Sequence, residues 1–297
     1  MQSTTSLTPK KQMRSWMVKL LHRTRLNKIA HHIYYQYIHS FDTANRDILP
    51  AVEQGMSEVK KLDALKNGDY FEFGIFKGYT FWYAQKMASQ FGLDHMRFFG
   101  FDSFNGLPEI AQPDQTRHNE FYQGQFRCSK HQVEKNLNAK GVDWSKTFLI
   151  EGYFDTSLTQ EIKEKYNLDK VSIALIDCDL YASTVDVLEF LKDLLADGTI
   201  LMFDDWNCFN KDDSRGQRRA LREFLESQPA WEAQPFFSYG LYGQVFTMRN
   251  RILERGDLSR EQESSEQFVC YGETEMQLRR GAMTPSIQAA WSQDEVI

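Results

Sequence analysis

Acidic residues are missing from the first 41 positions of this 297-residue chain. Lys10, Lys11, Arg14, Lys19, Arg23, Arg25 and Lys28 lie there instead, so the segment carries +7 and leaves −13 for the remainder, within an overall formal charge of −6. That overall charge argues against general nucleic-acid binding. No apolar run approaches the length of a membrane span. The N-terminus lacks a compact apolar stretch followed by a small-residue cleavage site, so no secretory signal is expected. Cysteine is scarce, and Cys128, Cys178, Cys208 and Cys270 have no zinc-type spacing. Free thiols fit a reducing cytosol, and a cytoplasmic location is the expectation. There is no internal repeat, and no GxGxxG fingerprint that would point first to a dinucleotide.

What is present starts with Met13, Trp16, Met17, Leu20 and Leu21, which recur at helical spacing among the early bases. Such a helix can lie on an anionic membrane. The acidic remainder of the chain offers a nearer partner, so the expectation is packing on its own domain or on a second copy. Membrane association is not expected; the arm is expected either to form a lid on its own domain or to pair in a homo-oligomer. Residues 31–66 continue as helices rich in Tyr and His. The His31-His32 pair has no third ligand nearby in sequence.

The chain is organised around residues 171–207. Two short apolar runs, 171–176 and 199–203, each end on acids, and residues 184–196 between them place Val185, Leu188, Leu191 and Leu195 on one helical stripe. Asp197-Gly198 stops that helix. A strand, a helix and a strand of these lengths form a βαβ unit with parallel neighbours. Both strands therefore end at one edge of the sheet, delivering Asp177 and Asp179 from the first and Asp204 and Asp205 from the second. Open α/β sheets bind ligands at that edge. Clustered carboxylates repel unless a cation lies between them, and a hard divalent cation with oxygen ligands is the candidate. An Asp at a strand end is often only a cap. That alternative weighs most for Asp179, and least for Asp177 with Asp204 and Asp205. Cys178 and Cys208 read as small buried fillers beside these acids.

Upstream, residues 69–76 read as a strand leading into Gly74-Ile-Phe-Lys-Gly78, and a helix follows over 81–90. The glycines allow a ligand close to the backbone, and free N–H groups at the helix start favour an anionic group. Glu72 can hold a ligand ammonium. The next strand, 96–101, ends in Asp102-Ser103, where an acid accepts from the two hydroxyls of a ribose. Residues 103–129 form an excursion long enough to be a lid, and Phe104, Phe121, Tyr122 and Phe126 argue that it is ordered. A helix over 130–139 and a strand over 147–150 follow, and the strand ends in Glu151-Gly-Tyr-Phe-Asp155. After the central unit come a helix over 216–227 and two strands, 233–239 and 244–248, set as a hairpin about residues 240–243. The expected organisation is a helical arm or lid over 1–66, one α/β domain over 67–250 and a C-terminal extension over 251–297, with 283–297 a mobile tail.

Five stretches in order, Glu72-Phe-Gly-Ile-Phe-Lys-Gly-Tyr-Thr80, Phe101-Asp-Ser-Phe-Asn-Gly-Leu-Pro-Glu109, Glu151-Gly-Tyr-Phe-Asp-Thr156, Asp177-Cys-Asp-Leu-Tyr-Ala-Ser-Thr184 and Phe203-Asp-Asp-Trp206, resemble the class I S-adenosylmethionine-dependent methyltransferases. More narrowly, they resemble the macrocin O-methyltransferase-related family of sugar methyltransferases. The resemblance implies a Rossmann-like, seven-stranded, mostly parallel sheet with helices on both faces and a terminal antiparallel hairpin. It implies that Glu72, Gly74, Phe76 and Gly78 shape the cofactor pocket and that Thr80 faces the methionine carboxylate. By the same likeness, Asp102 and Ser103 hold the ribose, Tyr153 and Asp155 lie near the adenine, and Asp177 borders the cofactor. Asp177, Asp204 and Asp205 match the acids that hold magnesium in cation-dependent members.

One departure is Leu180, where related catechol and caffeoyl-type enzymes carry a lysine base. A phenolic acceptor is thereby disfavoured, and a sugar or other small-molecule or glycan hydroxyl is expected. The cation would lower the pKa of that hydroxyl, and a carboxylate, with Asp179 the nearest spare one, would take the proton. Asn207 stands where another acid would have strengthened the cluster. Two other classes compete. Asp177-Cys-Asp179 is a D-x-D pattern found in metal-dependent glycosyltransferases, but that reading leaves residues 72–80 and Asp102 unexplained. A non-catalytic S-adenosylmethionine-binding module would not need the intact acids.

Overall fold

The computed structural model describes residues 47–62, 65, 67–115 and 121–252, together with Ile29 and Ile33. The basic amphipathic stretch, the His31-His32 pair, Cys270 and the C-terminal tail lie outside the described residues. Seven strands form one sheet: β1 (Asp69–Phe73), β2 (Phe98–Asp102), β3 (Thr147–Glu151), β4 (Val171–Ile176), β5 (Ile200–Phe203), β6 (Trp231–Tyr239) and β7 (Gly243–Asn250). Their order across the sheet is β3-β2-β1-β4-β5-β7-β6. β1 to β5 pair in parallel, and β7 runs antiparallel to β5. The helices are α1 (Ile48–Lys61), α2 (Tyr79–Phe91), α3 (Lys130–Lys140), the short α4 (Phe154–Ser157), α5 (Gln160–Tyr166), α6 (Tyr181–Leu191) and α7 (Gly216–Ser227). The expected α/β sheet with its closing hairpin is the fold observed. No helix among the described residues is long and apolar enough to cross a membrane.

Alternation along the strands sorts the core into two layers. Tyr70, Phe98, Ile173, Leu175 and Met202 face one side and pack with Ile48 and Met56 of α1, Phe81 of α2 and Leu137 of α3. Phe71, Phe73, Phe99, Phe101 and Phe203 face the other, against Leu188 and Phe190 of α6 and Phe224 of α7. Every residue of β1 and β4 is buried, as central parallel strands require. Phe73 and Phe101 stack at 4.8 Å, and Phe190 meets both rings edge-on.

Most boundaries shift by a residue or two from expectation, and the larger shifts are at β1 and α6, which runs over 181–191 rather than 184–196. β1 stops at Phe73 rather than at 76, because Gly74 turns out of the strand at φ +90°. α6 begins at Tyr181, and its buried face is Thr184, Val187, Leu188 and Leu191. Val185, placed on the stripe from sequence, is 38% exposed, since it lies about 100° round the helix from Thr184. Leu195, beyond the helix end, still packs against the core.

Candidate active site

Strand register builds the site. Phe101, Phe73, Ile176 and Phe203 are partners across four neighbouring strands. The residues that follow them, Asp102, Gly74, Asp177 and Asp204, therefore leave the sheet at one level. The ladder continues one step past the strands: Asp177 N–H donates to the Phe73 carbonyl at 2.9 Å, and Asp204 N–H donates to that of Ile176 at 3.2 Å. Gly74 lies so close to the next strand that a β-carbon there would sit 1.9 Å from the Asp177 carbonyl oxygen. Only glycine fits, both for that approach and for the positive φ.

A cavity of about 710 Å³ opens above this edge, within the size range of small-molecule sites. Every residue expected to touch the cofactor borders it: Glu72, Gly74, Phe76, Thr80, Asp102, Ser103, Tyr153, Asp155 and Asp177, with the exception of Gly78. At Gly78 a β-carbon would lie 3.1 Å from Leu137 and 3.3 Å from Val133 of α3, so glycine lets that helix pack close. Glu72 is almost fully buried and accepts from the Tyr70 hydroxyl at 2.7 Å. Burial pushes its carboxyl up to about 8, with Asp102 and Asp204 adding to the rise. Asp102 does more than face a ligand. Its carboxylate accepts from the N–H groups of Ile75 (2.8 Å), Phe76 (3.0 Å) and Phe104 (2.7 Å), tying the turn after β1 to the start of the long excursion. The Ser103 hydroxyl donates to the Gly106 carbonyl at 2.8 Å and accepts from Asn105 N–H at 3.1 Å, so it shapes the same corner.

The acids converge as expected. One oxygen from each of Asp177, Asp204 and Asp205 lies within 4.8 Å of the others. Asp205 is already engaged: one oxygen accepts from Asp179 N–H at 2.9 Å and the other from the Cys208 thiol at 3.3 Å. Oδ1 of Asp204 is buried without a hydrogen-bond partner. Burial, then Asp204, Asp205 and Asp179, hold the Asp177 carboxyl well above its ordinary range. Burial and then Asp205 push Asp204 up to about 7. Three acids whose oxygens converge within 4.8 Å fit a divalent cation, which would relieve their mutual repulsion.

Asp179 borders the cavity with a left-handed backbone, φ 59°. It does not cap α6. The cap comes from Asp114, whose carboxylate accepts from Tyr181 N–H (2.7 Å) and Ala182 N–H (3.3 Å). Asp114 lies in a short 3-10 turn, Gln112–Asp114, within the long excursion, and so pins that segment beside the acids. Gln217 of α7 is the other residue that sequence reasoning missed. Its amide accepts from Asp205 N–H at 3.0 Å and donates to the Ile176 carbonyl at 2.9 Å, stitching the two acid-bearing strand ends together. Leu180 is buried and does not border the cavity.

The sequence profile of the macrocin O-methyltransferase family matches residues 43–229, a span that holds all of these acids. The chain belongs to that family. Two curated relatives carry sugar-directed names. The 8-demethyl-8-(2,3-dimethoxy-alpha-L-rhamnosyl)-tetracenomycin-C 4'-O-methyltransferase of Streptomyces olivaceus is 25% identical over 172 residues, covering 53% of this chain and 64% of the relative. The mycinamicin III 3''-O-methyltransferase of Micromonospora griseorubida is 23% identical over 175 residues, covering 53% of this chain and 66% of the relative. The matched stretches thus span just under two thirds of either relative. Among solved structures, the O-methyltransferase NovP superposes with a TM-score of 0.60 at 16% identity, covering 80% of this chain and 99% of NovP. The calicheamicin methyltransferase CalS11 follows at 0.57 and 18%, covering 82% and 94%. These two likenesses establish the fold the macrocin O-methyltransferase family chain shares with them.

Proposed function

We propose that this chain is an S-adenosylmethionine-dependent, magnesium-assisted O-methyltransferase acting on a hydroxyl of a sugar or a glycosylated natural product. The observation that carries the reading is the convergence, at one sheet edge, of the Gly74 turn, Asp102 and the three carboxylates of Asp177, Asp204 and Asp205. Family membership and the names of the two curated relatives support it, and favour methyl transfer over the D-x-D glycosyltransferase reading. S-adenosylmethionine, when bound, supplies an electrophilic methyl group on sulfur. A divalent cation supplies positive charge that acidifies an acceptor hydroxyl.

The chain's own residues position and move the proton. Glu72 is placed for the ligand ammonium, Thr80 at the start of α2 for its carboxylate, Asp102 and Ser103 for the ribose, and Tyr153 and Asp155 for the base. Asp177, Asp204 and Asp205 hold the cation. Asp179 takes the acceptor proton: it is half-buried at the cavity wall, and desolvation followed by Asp205 and Asp204 raises its proton affinity well above the ordinary value. Holding the acceptor oxygen in line with the transferred carbon is the main catalytic contribution such a site makes. Residues 67–250 form the catalytic domain. The arm over 1–66 closes the site or pairs with a second copy, a role supported by Ile48, which lines the cavity. Residues 251–297 are an extension, and the setting is the cytoplasm.

Calorimetry with S-adenosylmethionine and Mg²⁺, followed by an acceptor screen of glycosides, tests this. Binding of both, and methyl transfer abolished by chelator and restored by Mg²⁺, is the expected result. Asp204→Asn should then cut turnover sharply while leaving S-adenosylmethionine affinity nearly intact. Full turnover in chelator, with no metal found by elemental analysis, would reduce the acids to pocket polarity.

A further inference from the structure

Two side-chain polar atoms among the described residues are buried without a hydrogen-bond partner: Oδ1 of Asp204 and the hydroxyl of Tyr239. They belong to one place. Asp204 is the foremost charged neighbour of the Tyr239 hydroxyl, with Asp177 next and Asp205 also in range. The phenol lies beside the Asp204 carboxyl, and neither its hydroxyl nor Oδ1 of Asp204 has another partner.

The ring is held there by its surroundings. Tyr239 is the last residue of β6, 7% exposed, and packs in the same layer as Tyr70 and Met202. Gly243, across the hairpin turn, leaves the room it needs. A β-carbon on Gly243 would lie 2.3 Å from two of the ring atoms, Cε2 and Cζ. A phenol is a hydrogen-bond donor at neutral pH. Tyr239 also lies outside residues 43–229, the span matched by the family.

We propose that Tyr239 is a positioning residue for the cation site: its hydroxyl donates to Oδ1 of Asp204 and leaves the other carboxylate oxygen to the cation. This rests on the magnesium reading above. A hydroxyl that holds one oxygen of the carboxylate fixes the direction in which the other oxygen faces. Partners of this outer kind hold metal-ligating side chains in line, and their loss commonly weakens metal affinity by about 10- to 100-fold.

The test is Tyr239→Phe, which removes one oxygen and keeps the ring. Mg²⁺ affinity by calorimetry should fall by about tenfold or more. S-adenosylmethionine affinity, measured in chelator, should stay within about twofold of wild type. The metal-free variant should melt at or above the wild-type temperature, because a buried unpartnered hydroxyl has been removed. The rise in melting temperature on adding Mg²⁺ should shrink in step with the lost affinity. A variant that binds Mg²⁺ as tightly as a Mg²⁺-binding wild type overturns this proposal alone. A variant that melts well below wild type in chelator also overturns it, since the hydroxyl would then serve the empty fold. A wild type that takes up no Mg²⁺ overturns the magnesium reading and this proposal with it.

Discussion

Glu72→Gln isolates the electrostatic cost of the cofactor pocket. Glu72 is 2% exposed and has the Tyr70 hydroxyl as its hydrogen-bond donor. Burial raises its carboxyl from the ordinary 4.5 to about 8. The sign of the effect follows from proton counts. Between these two values the unfolded chain ionises while the folded protein keeps its proton. The native state therefore binds more protons, and stability falls as pH rises. The contribution is fully present below pH 4.5 and is lost as pH climbs towards 8. At about 1.4 kcal/mol per pH unit, roughly 3 kcal/mol is lost between pH 4.5 and 7. Glutamine does not titrate, so this slope vanishes in the variant. Urea unfolding followed by tryptophan fluorescence in chelator, at several pH values, gives the two stability curves. Their difference, variant minus wild type, should rise by roughly 3 kcal/mol over that interval. The difference cancels the buried acids that do not interact with Glu72, leaving its own titration and its coupling to Asp102, Asp177 and Asp204. A second readout ties the effect to function. A ligand ammonium binding beside Glu72 should ionise it, so cofactor binding near pH 7 should release most of one proton in wild type and less in the variant. Calorimetry in buffers of different ionisation heat measures that release. A flat difference curve, with equal proton release in both proteins, would refute a protonated Glu72.

Three further outcomes are expected. Asp102→Ala should weaken S-adenosylmethionine binding by about tenfold or more, since a charged acceptor of hydroxyls is worth roughly 1.5–3 kcal/mol; unchanged affinity in the folded variant would dismiss the ribose role. Gln217→Leu leaves Asp205 N–H without its side-chain acceptor and should lower unfolding stability by about 1–3 kcal/mol, read from the urea midpoint, with an unshifted midpoint counting against the stitch. Asp114→Ala removes the cap from α6 and should cost about 1 kcal/mol, with faster hydrogen exchange in residues 103–115; exchange there as slow as in wild type would show that the segment is held by other contacts.

Much of the site was legible because its signals are local. The apolar run of β4 and the exact extent of α7 follow from short patterns, as do the turn at Gly74 and the acids that end β2, β4 and β5. What misled was the edge of a helix face: Val185 is apolar and near the stripe, yet 38% exposed. Sequence spacing defines a face only to within a residue's 100° step. The cap of α6 was equally hidden. Asp179 stands two residues before the helix and looks like a cap, while the group that caps it comes from Asp114, 67 residues before Tyr181.

By itself, then, the sequence determined the strand-helix alternation, the parallel sheet and the arrival of acids at its carboxyl edge. Each of these depends on residues a few positions apart, through alternation, turn chemistry and the handedness of βαβ connections. The tertiary structure decided which atoms are satisfied and which are not. Gln217 closes the Asp205 corner, Asp114 locks the long excursion to α6, and Tyr239 reaches Asp204 with its hydroxyl unpaired. Those contacts join segments tens of residues apart, and burial there sets the proton affinities of Glu72 and Asp204. A carboxylate's charge state depends on the dielectric and dipoles around it, and only the folded chain assembles these.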